Sequence, residues 1–212
     1  AIIARETNLY LRTMVNSCVL KNVDIKLISA KGNVVDSVVA IDYELGIDLI
    51  IVGAKSNSIK ENLFLGRTAG SLVKRSNIAV LAIPEGYKYT PISSILMAFK
   101  SGVIKSKTVL KPLQFIVEQF KANVNLLLVK TPNYTEEDLI LHANLKALQN
   151  TITVTENATT FQGVLEHIKT QNPDMLCVLR RKRGFFKKLW EKNTILKEEF
   201  YSNVPLLVLK GK

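Results

Sequence analysis

The sequence overlays on itself, and that limits the possible folds more than any other feature. Shifted by 126 positions, "DLIIVGAKS" and "SNIAVLAI" (48–56 and 76–83) lie on "DMLCVLRRK" and "SNVPLLVL" (174–182 and 202–209) with no gap between them. Asp48 falls on Asp174, Val52 on Val178, Leu63 on Leu189, and Ser76-Asn77 on Ser202-Asn203. Upstream, Val38 falls on Val164 and Val39 on Leu165. Matching ends around an equal-length middle indicate a duplicated unit. A period this long predicts two domains and not a solenoid.

Each copy alternates short apolar runs with helical periodicity. In the later copy, "SSILMAF" (93–99), "NVNLLLVK" (123–130), "TITVT" (151–155), "DMLCVL" (174–179) and "PLLVL" (205–209) read as strands. Helices are predicted over 106–122, 135–150, 159–172 and 185–201. Pro112 falls in the first turn or two of its helix, where the missing N–H costs little. Thr135 and Asp138 have capping-box spacing. Nearly continuous apolar strands separated by helices mean a parallel sheet covered on both faces, a doubly wound α/β fold. The earlier copy is shorter. Helices at about 6–20, 34–45 and 66–76 and strands at 24–30, 48–52 and 79–83 have counterparts, and Gly46 ends its helix at C′. Nothing in it matches the later copy's first strand and helix, so its sheet is expected to be incomplete here, as in a fragment. "PEGYKYTP" (84–91) reads as a linker, which sets the expected domains at 1–88 and 92–212.

Composition narrows the class. The chain has 212 residues, 47% hydrophobic and 22% charged, enough for a packed core. No apolar run reaches the roughly 18–20 residues that span a bilayer, and the N-terminal residues lack signal-peptide order. A soluble, cytoplasmic protein is expected. Cys18 and Cys177 sit among apolar neighbours and read as two buried thiols. Two histidines, His142 and His167, make no metal cluster, and both read as surface residues. No Gly-x-x-x-x-Gly-Lys loop or Gly-x-Ser-x-Gly elbow occurs, so no P-loop or serine-hydrolase chemistry is expected. No residue is assigned a catalytic or metal-binding role. The net charge is +11, with its excess in "RRKRGFFKK" (180–188). That segment interleaves bases with Phe185, Phe186 and Trp190, a pattern that can bind single strands by charge and stacking. Phe186, Leu189 and Trp190 also fall at helical spacing, so core packing is the expected role and nucleic acid is not the expected partner.

The stretch "DLIIVGAKSNSIKENLFLGRTAG" (48–70) carries the functional signal. An apolar strand ends on Val52-Gly53, a polar loop follows, and Gly66 opens a helix. It resembles the universal stress protein family, whose ATP-binding members carry Gly-x-x-Gly, nine residues, then Gly-Ser or Gly-Thr after the fourth strand. Here Gly53, Ser56, Gly66 and Arg67 hold those places. The spacing matches fully and the residue types at two of four. In the later copy Leu179, Lys182, Lys192 and Asn193 stand there, with no motif. The resemblance covers nearly the whole chain. It implies strand order 3-2-1-4-5 in each sheet (Rossmann-like, as in flavodoxin), with ligands beyond the carboxyl ends of the strands. It implies a non-catalytic, stress-linked regulatory protein with a degenerate ATP or adenine-nucleotide site in the earlier copy.

Backbone N–H groups would reach the phosphates across Val52, Gly53, Ser56, Gly66, Arg67 and Thr68, because glycine has no Cβ in the way. The helix N-terminus adds unpaired N–H groups and the dipole. Arg67 replaces a hydroxyl with a phosphate-binding guanidinium, and Lys55 and Lys60 add charge. The family's acidic residue after the first strand has no counterpart in "ILMAFKSG". The resemblance also implies self-association, the copies pairing through their last strands "AVLAI" and "PLLVL". Two alternatives stand beside it: a protein-interaction module without a ligand, and nucleic-acid binding through 180–188.

Overall fold

A computed structural model describes residues 2–18, 22–54, 65–180 and 204–211. It falls into two compact units, Ala1–Leu45 and Gly46–Lys212. This division follows compactness, whereas the 84–91 boundary follows the sequence repeat.

The first unit holds α1 (Ile2–Asn16) and α2 (Val34–Leu45). Asn33 starts α2: its side-chain oxygen accepts from the N–H groups of Val35 at 2.9 Å and Asp36 at 3.4 Å, as an N-cap does. Gly46 follows the last turn at φ +68°, the left-handed conformation expected at C′. The expected strand at 24–30 is absent, because that stretch joins no ladder. The reason is geometric. A third strand in the order 3-2-1-4-5 is an edge whose only neighbour is the second strand. In the 126-residue register, the counterparts of residues 127–130 are residues 1–4, and Ile2, Ile3 and Ala4 begin α1. Alternating side chains alone do not hold an extended segment as a strand; it needs a partner for its backbone groups. Cys18 is exposed, so of the two thiols expected to be buried only Cys177 is.

The second unit is built on one seven-stranded sheet: β1 (Leu49–Ala54), β2 (Ala79–Pro84), β3 (Ser94–Phe99), β4 (Asn123–Lys130), β5 (Gln149–Glu156), β6 (Met175–Arg180) and β7 (Leu206–Lys210). The order across the sheet is β1-β2-β7-β6-β3-β4-β5. The five strands of the later copy thus stand as third, second, first, fourth and fifth, all parallel. From the earlier copy come β1 and β2, parallel to each other. β2 then runs antiparallel to β7, with Val80 opposite Val208, Leu81 opposite Leu207 and Ala82 opposite Leu206. The two "last strands" therefore join the copies into one sheet. Ala79 and Leu81 share a buried core with Ile95, Met97, Leu126, Leu128, Cys177 and Leu207.

Helices α3 (Gly66–Arg75), α4 (Lys111–Phe120), α5 (Ala143–Leu148) and α6 (Thr160–Gln171) complete this unit. Pro112 lies in the first turn of α4, after a 3₁₀ turn over Lys107–Leu110. The helix expected over 135–150 is broken. Thr135 and Asp138 make their capping box, but it starts only a 3₁₀ turn over Glu136–Leu139. The chain then extends to pair with Gly102: the Gly102 N–H donates to the Asp138 carbonyl at 2.8 Å, and the His142 N–H to the Gly102 carbonyl at 3.0 Å. His142 begins α5, its Nδ1 accepting from the Asn144 N–H at 3.2 Å. The expected helix at 185–201 lies outside the described residues.

Candidate nucleotide crevice and its counterpart

β1 and β2 are parallel, so the helix between them must run back across the sheet. Gly66, the first residue of α3, therefore stands at the carboxyl end of β1, where Gly53 lies. The helix turns Ala69, Leu72 and Val73 inward, all nearly fully buried, at the spacing of one helical face. It rests on β1 and β2.

Two features of this end suit an anion. The first is Gly53. It pairs with Ile83 in the ladder and is exposed. Its φ is not positive. A Cβ built on it would meet nothing within 4 Å. Neither backbone strain nor packing among the described residues demands glycine there. Among the described residues, what a side chain would take up is open space on the face of the sheet that Ile51 also presents, and a glycine leaves the backbone there approachable. The second is the start of α3. Its N-cap is Leu65, with no side-chain hydrogen bond, and its first turn holds no acidic residue. Among the described residues, the leading N–H groups have no Ser, Thr, Asp or Asn oxygen of the kind that ordinarily satisfies them.

Of the expected site residues, Val52 is half-buried at the end of β1, and Thr68 is exposed in the first turn of α3. Gly66 and Arg67 are placed by their backbone in that same turn. Ser56, Lys55 and Lys60 lie outside the described residues. Among those residues β1 has one neighbour, β2, and Ile51 in its middle is 67% exposed.

The corresponding end of the later copy is closed. Leu179, on Gly53's place, is buried. The loop after β3 is pinned to the 138–142 segment, and a Cβ on Gly102 would stand 2.5 Å from the Ile140 carbonyl oxygen. Arg180, on Ala54's place, turns away from any ligand position. Its Nη1 donates to the carbonyls of Val73 and, at 3.0 Å, of Ser76, at the far end of α3. Burial pulls the guanidinium pKa down from its usual value, though an arginine keeps its charge at neutral pH. The sequence placed Arg180 in a basic run; its partners, more than a hundred residues earlier, left no local signal. Arg181, Lys182, Arg183, Phe185, Phe186, Leu189, Trp190, Lys192 and Asn193 lie outside the described residues.

Other features belong to structure. Asp174 precedes β6 and accepts from the Ser93 N–H and hydroxyl and the Ser94 N–H at 2.7–2.9 Å. Burial works against its charge, but these bonds outweigh it and hold the carboxyl below its ordinary range. An open cavity of about 330 Å³ is lined by Pro84, Tyr87, Lys88, Asn172 and Asp174. It sits at the amino end of β6 and, because β2 runs antiparallel to β7, beside Pro84 at the carboxyl end of β2. His167 Nδ1 lies 2.9 Å from the Gly163 carbonyl. Cys177 is fully buried and its thiol is pushed above the usual range. Among the described residues there is no group of three metal-ligating side chains and no helix long and apolar enough to cross a membrane.

Residues 4–84 match the model of the universal stress protein family. No curated protein matches the chain at a significant level. Among solved structures, a universal stress protein from Archaeoglobus fulgidus is similar at TM-score 0.64 and 16% identity, over 98% of this chain and 76% of that one. A protein of unknown function from Pseudomonas aeruginosa is similar at TM-score 0.64 and 12% identity, over 96% and 78%.

Proposed function

We propose that this chain, which belongs to the universal stress protein family through residues 4–84, is a non-catalytic, stress-linked binding module that holds the phosphates of an adenine nucleotide at the carboxyl end of β1. The cytoplasm is the compartment this reading implies. The observation that supports it best is Gly53: a glycine that nothing among the described residues requires, at the same end as a helix start whose N-cap residue makes no side-chain hydrogen bond. The Val52–Gly53 backbone and the first turn of α3, from Gly66 through Thr68, would supply the N–H donors. Arg67 would add charge, and Ser56 stands at the motif's second glycine.

The nucleoside flank has no second strand among the described residues, so phosphate contacts carry the binding in this reading. ATP and GTP are then expected to bind within about tenfold of each other. ATP should raise the melting temperature, and Gly53→Val should abolish the rise without lowering the melting temperature of the free protein, because a side chain there meets no neighbour among the described residues. If ATP leaves the melting temperature unchanged, or the variant responds as the parent does, the nucleotide reading fails. A protein-interaction module without a ligand would then be the better account.

A further inference from the structure

The later copy has no glycine at the four motif positions, and Arg180, just after the first of them, reaches into the earlier copy. We infer that Arg180 is a positioning residue for the anion-facing helix: it locks the carboxyl end of α3 and so fixes where the Gly66 end of the same helix points. This inference rests on the reading of the Gly53–Gly66 crevice as a phosphate site.

The geometry is one-sided. The last four carbonyls of an α-helix have no partner within it. In α3 the Leu72 carbonyl is taken by the Ser76 N–H at 2.9 Å. The Val73 carbonyl and the Ser76 carbonyl beyond it are taken by one guanidinium nitrogen. Both residues are buried with the arginine in place, and its removal takes the partner from both carbonyls. A cation at this end also complements the helix dipole. In the 126-residue register the counterpart of Arg180 is Ala54, which has no side chain able to make the reverse contact.

Arg180 is itself fixed. It ends β6 and pairs with Lys210 across the β6–β7 ladder, and β7 is joined to β2. The guanidinium thus ties the end of α3 to the middle of the sheet. A ten-residue helix is about 15 Å long and moves as a rigid rod. Releasing one end lets the other slide or tilt, and a hydrogen bond to a phosphate tolerates only a few tenths of an ångström.

The test uses the full chain with Arg180→Ala and Arg180→Lys. ATP affinity is measured by titration, and the Gly66 and Thr68 amide resonances of the free protein by NMR. Arg180→Ala is expected to weaken ATP about tenfold and to shift both amide resonances. Arg180→Lys, which keeps the charge and one donor, is expected to restore most of the affinity and the shifts. If the alanine variant does not fold, the lysine variant decides: a partial loss of affinity with displaced amide resonances supports the inference, and parental values overturn it. Arg180 has only a structural role if Arg180→Ala melts earlier yet keeps parental affinity and resonances. Should the parent itself bind no ATP, the phosphate reading fails separately. The amide resonances of the first turn then decide, and unmoved resonances overturn the positioning role.

Discussion

Asp174 shows how one side chain can fasten two strands. Its carboxylate takes three bonds from Ser93 and Ser94, and its own N–H donates to the Ser94 carbonyl at 2.9 Å. The starts of β3 and β6 are thereby set in register. Because the folded pKa is depressed, the ionised form contributes stability above the ordinary carboxylate range, and this is lost as pH falls through the folded value. Asp174→Asn should cost about 1 kcal/mol at neutral pH, the low end for bonds to a charged group because the site is partly solvated. The gap between parent and variant should close below about pH 4. Urea denaturation at pH 7 and pH 3 measures it, and an equal gap at both would remove the carboxylate from the account. At this scale the sequence was partly legible. It marked Asp174 as one of the repeated positions, but it could not show the serines that hold its charge, since they lie eighty residues away.

At the scale of elements, Gly102 divides what the sequence reads as one helix. Thr135 and Asp138 carry the local signal for a helix start, and apolar periodicity continues beyond them. Yet the backbone at 138–142 bonds to Gly102, a contact that no periodicity records. A Cβ at Gly102 would lie 2.5 Å from the Ile140 oxygen and 2.9 Å from the Leu141 Cα, both backbone atoms that cannot turn aside. Gly102→Ala should therefore cost about 3 kcal/mol, toward the upper end for overpacking. Gly163→Ala on α6 presses only against side-chain methyls of Val129 and Thr155 and should cost nearer 1 kcal/mol. Chemical denaturation of the two variants gives the comparison, and the reverse ranking would show that the 138–142 segment yields easily. The same lesson applies at 24–30, where a strand-like pattern has no ladder to join. Where the deciding contact is local, as at Pro112 or Gly46, reading and structure agree.

For the molecule as a whole, the decisive joint is β2 against β7. It makes one sheet and one core of strands from both sides of the 84–91 linker. Tyr89 in that linker is 71% exposed, so a protease site can be introduced between Gly86 and Tyr89. After cleavage the two fragments should co-elute under native conditions and separate in denaturant. Fragments that part without denaturant would mean that the antiparallel pairing does not hold the sheet together.

The sequence by itself determined the kind of layers, the parallel strand set of the later copy, and the place of Gly53 and Gly66. Those features follow from side-chain periodicity and from the conformational freedom of glycine, which act within a few residues. Only the tertiary structure decided that the extended stretch at 24–30 stays unpaired, that Gly102 breaks a helix, and that Arg180 closes the end of α3. Each of these depends on which backbone groups meet across the fold. A donor or acceptor is satisfied by whatever lies within about 3 Å of it, however far away in the chain that partner is.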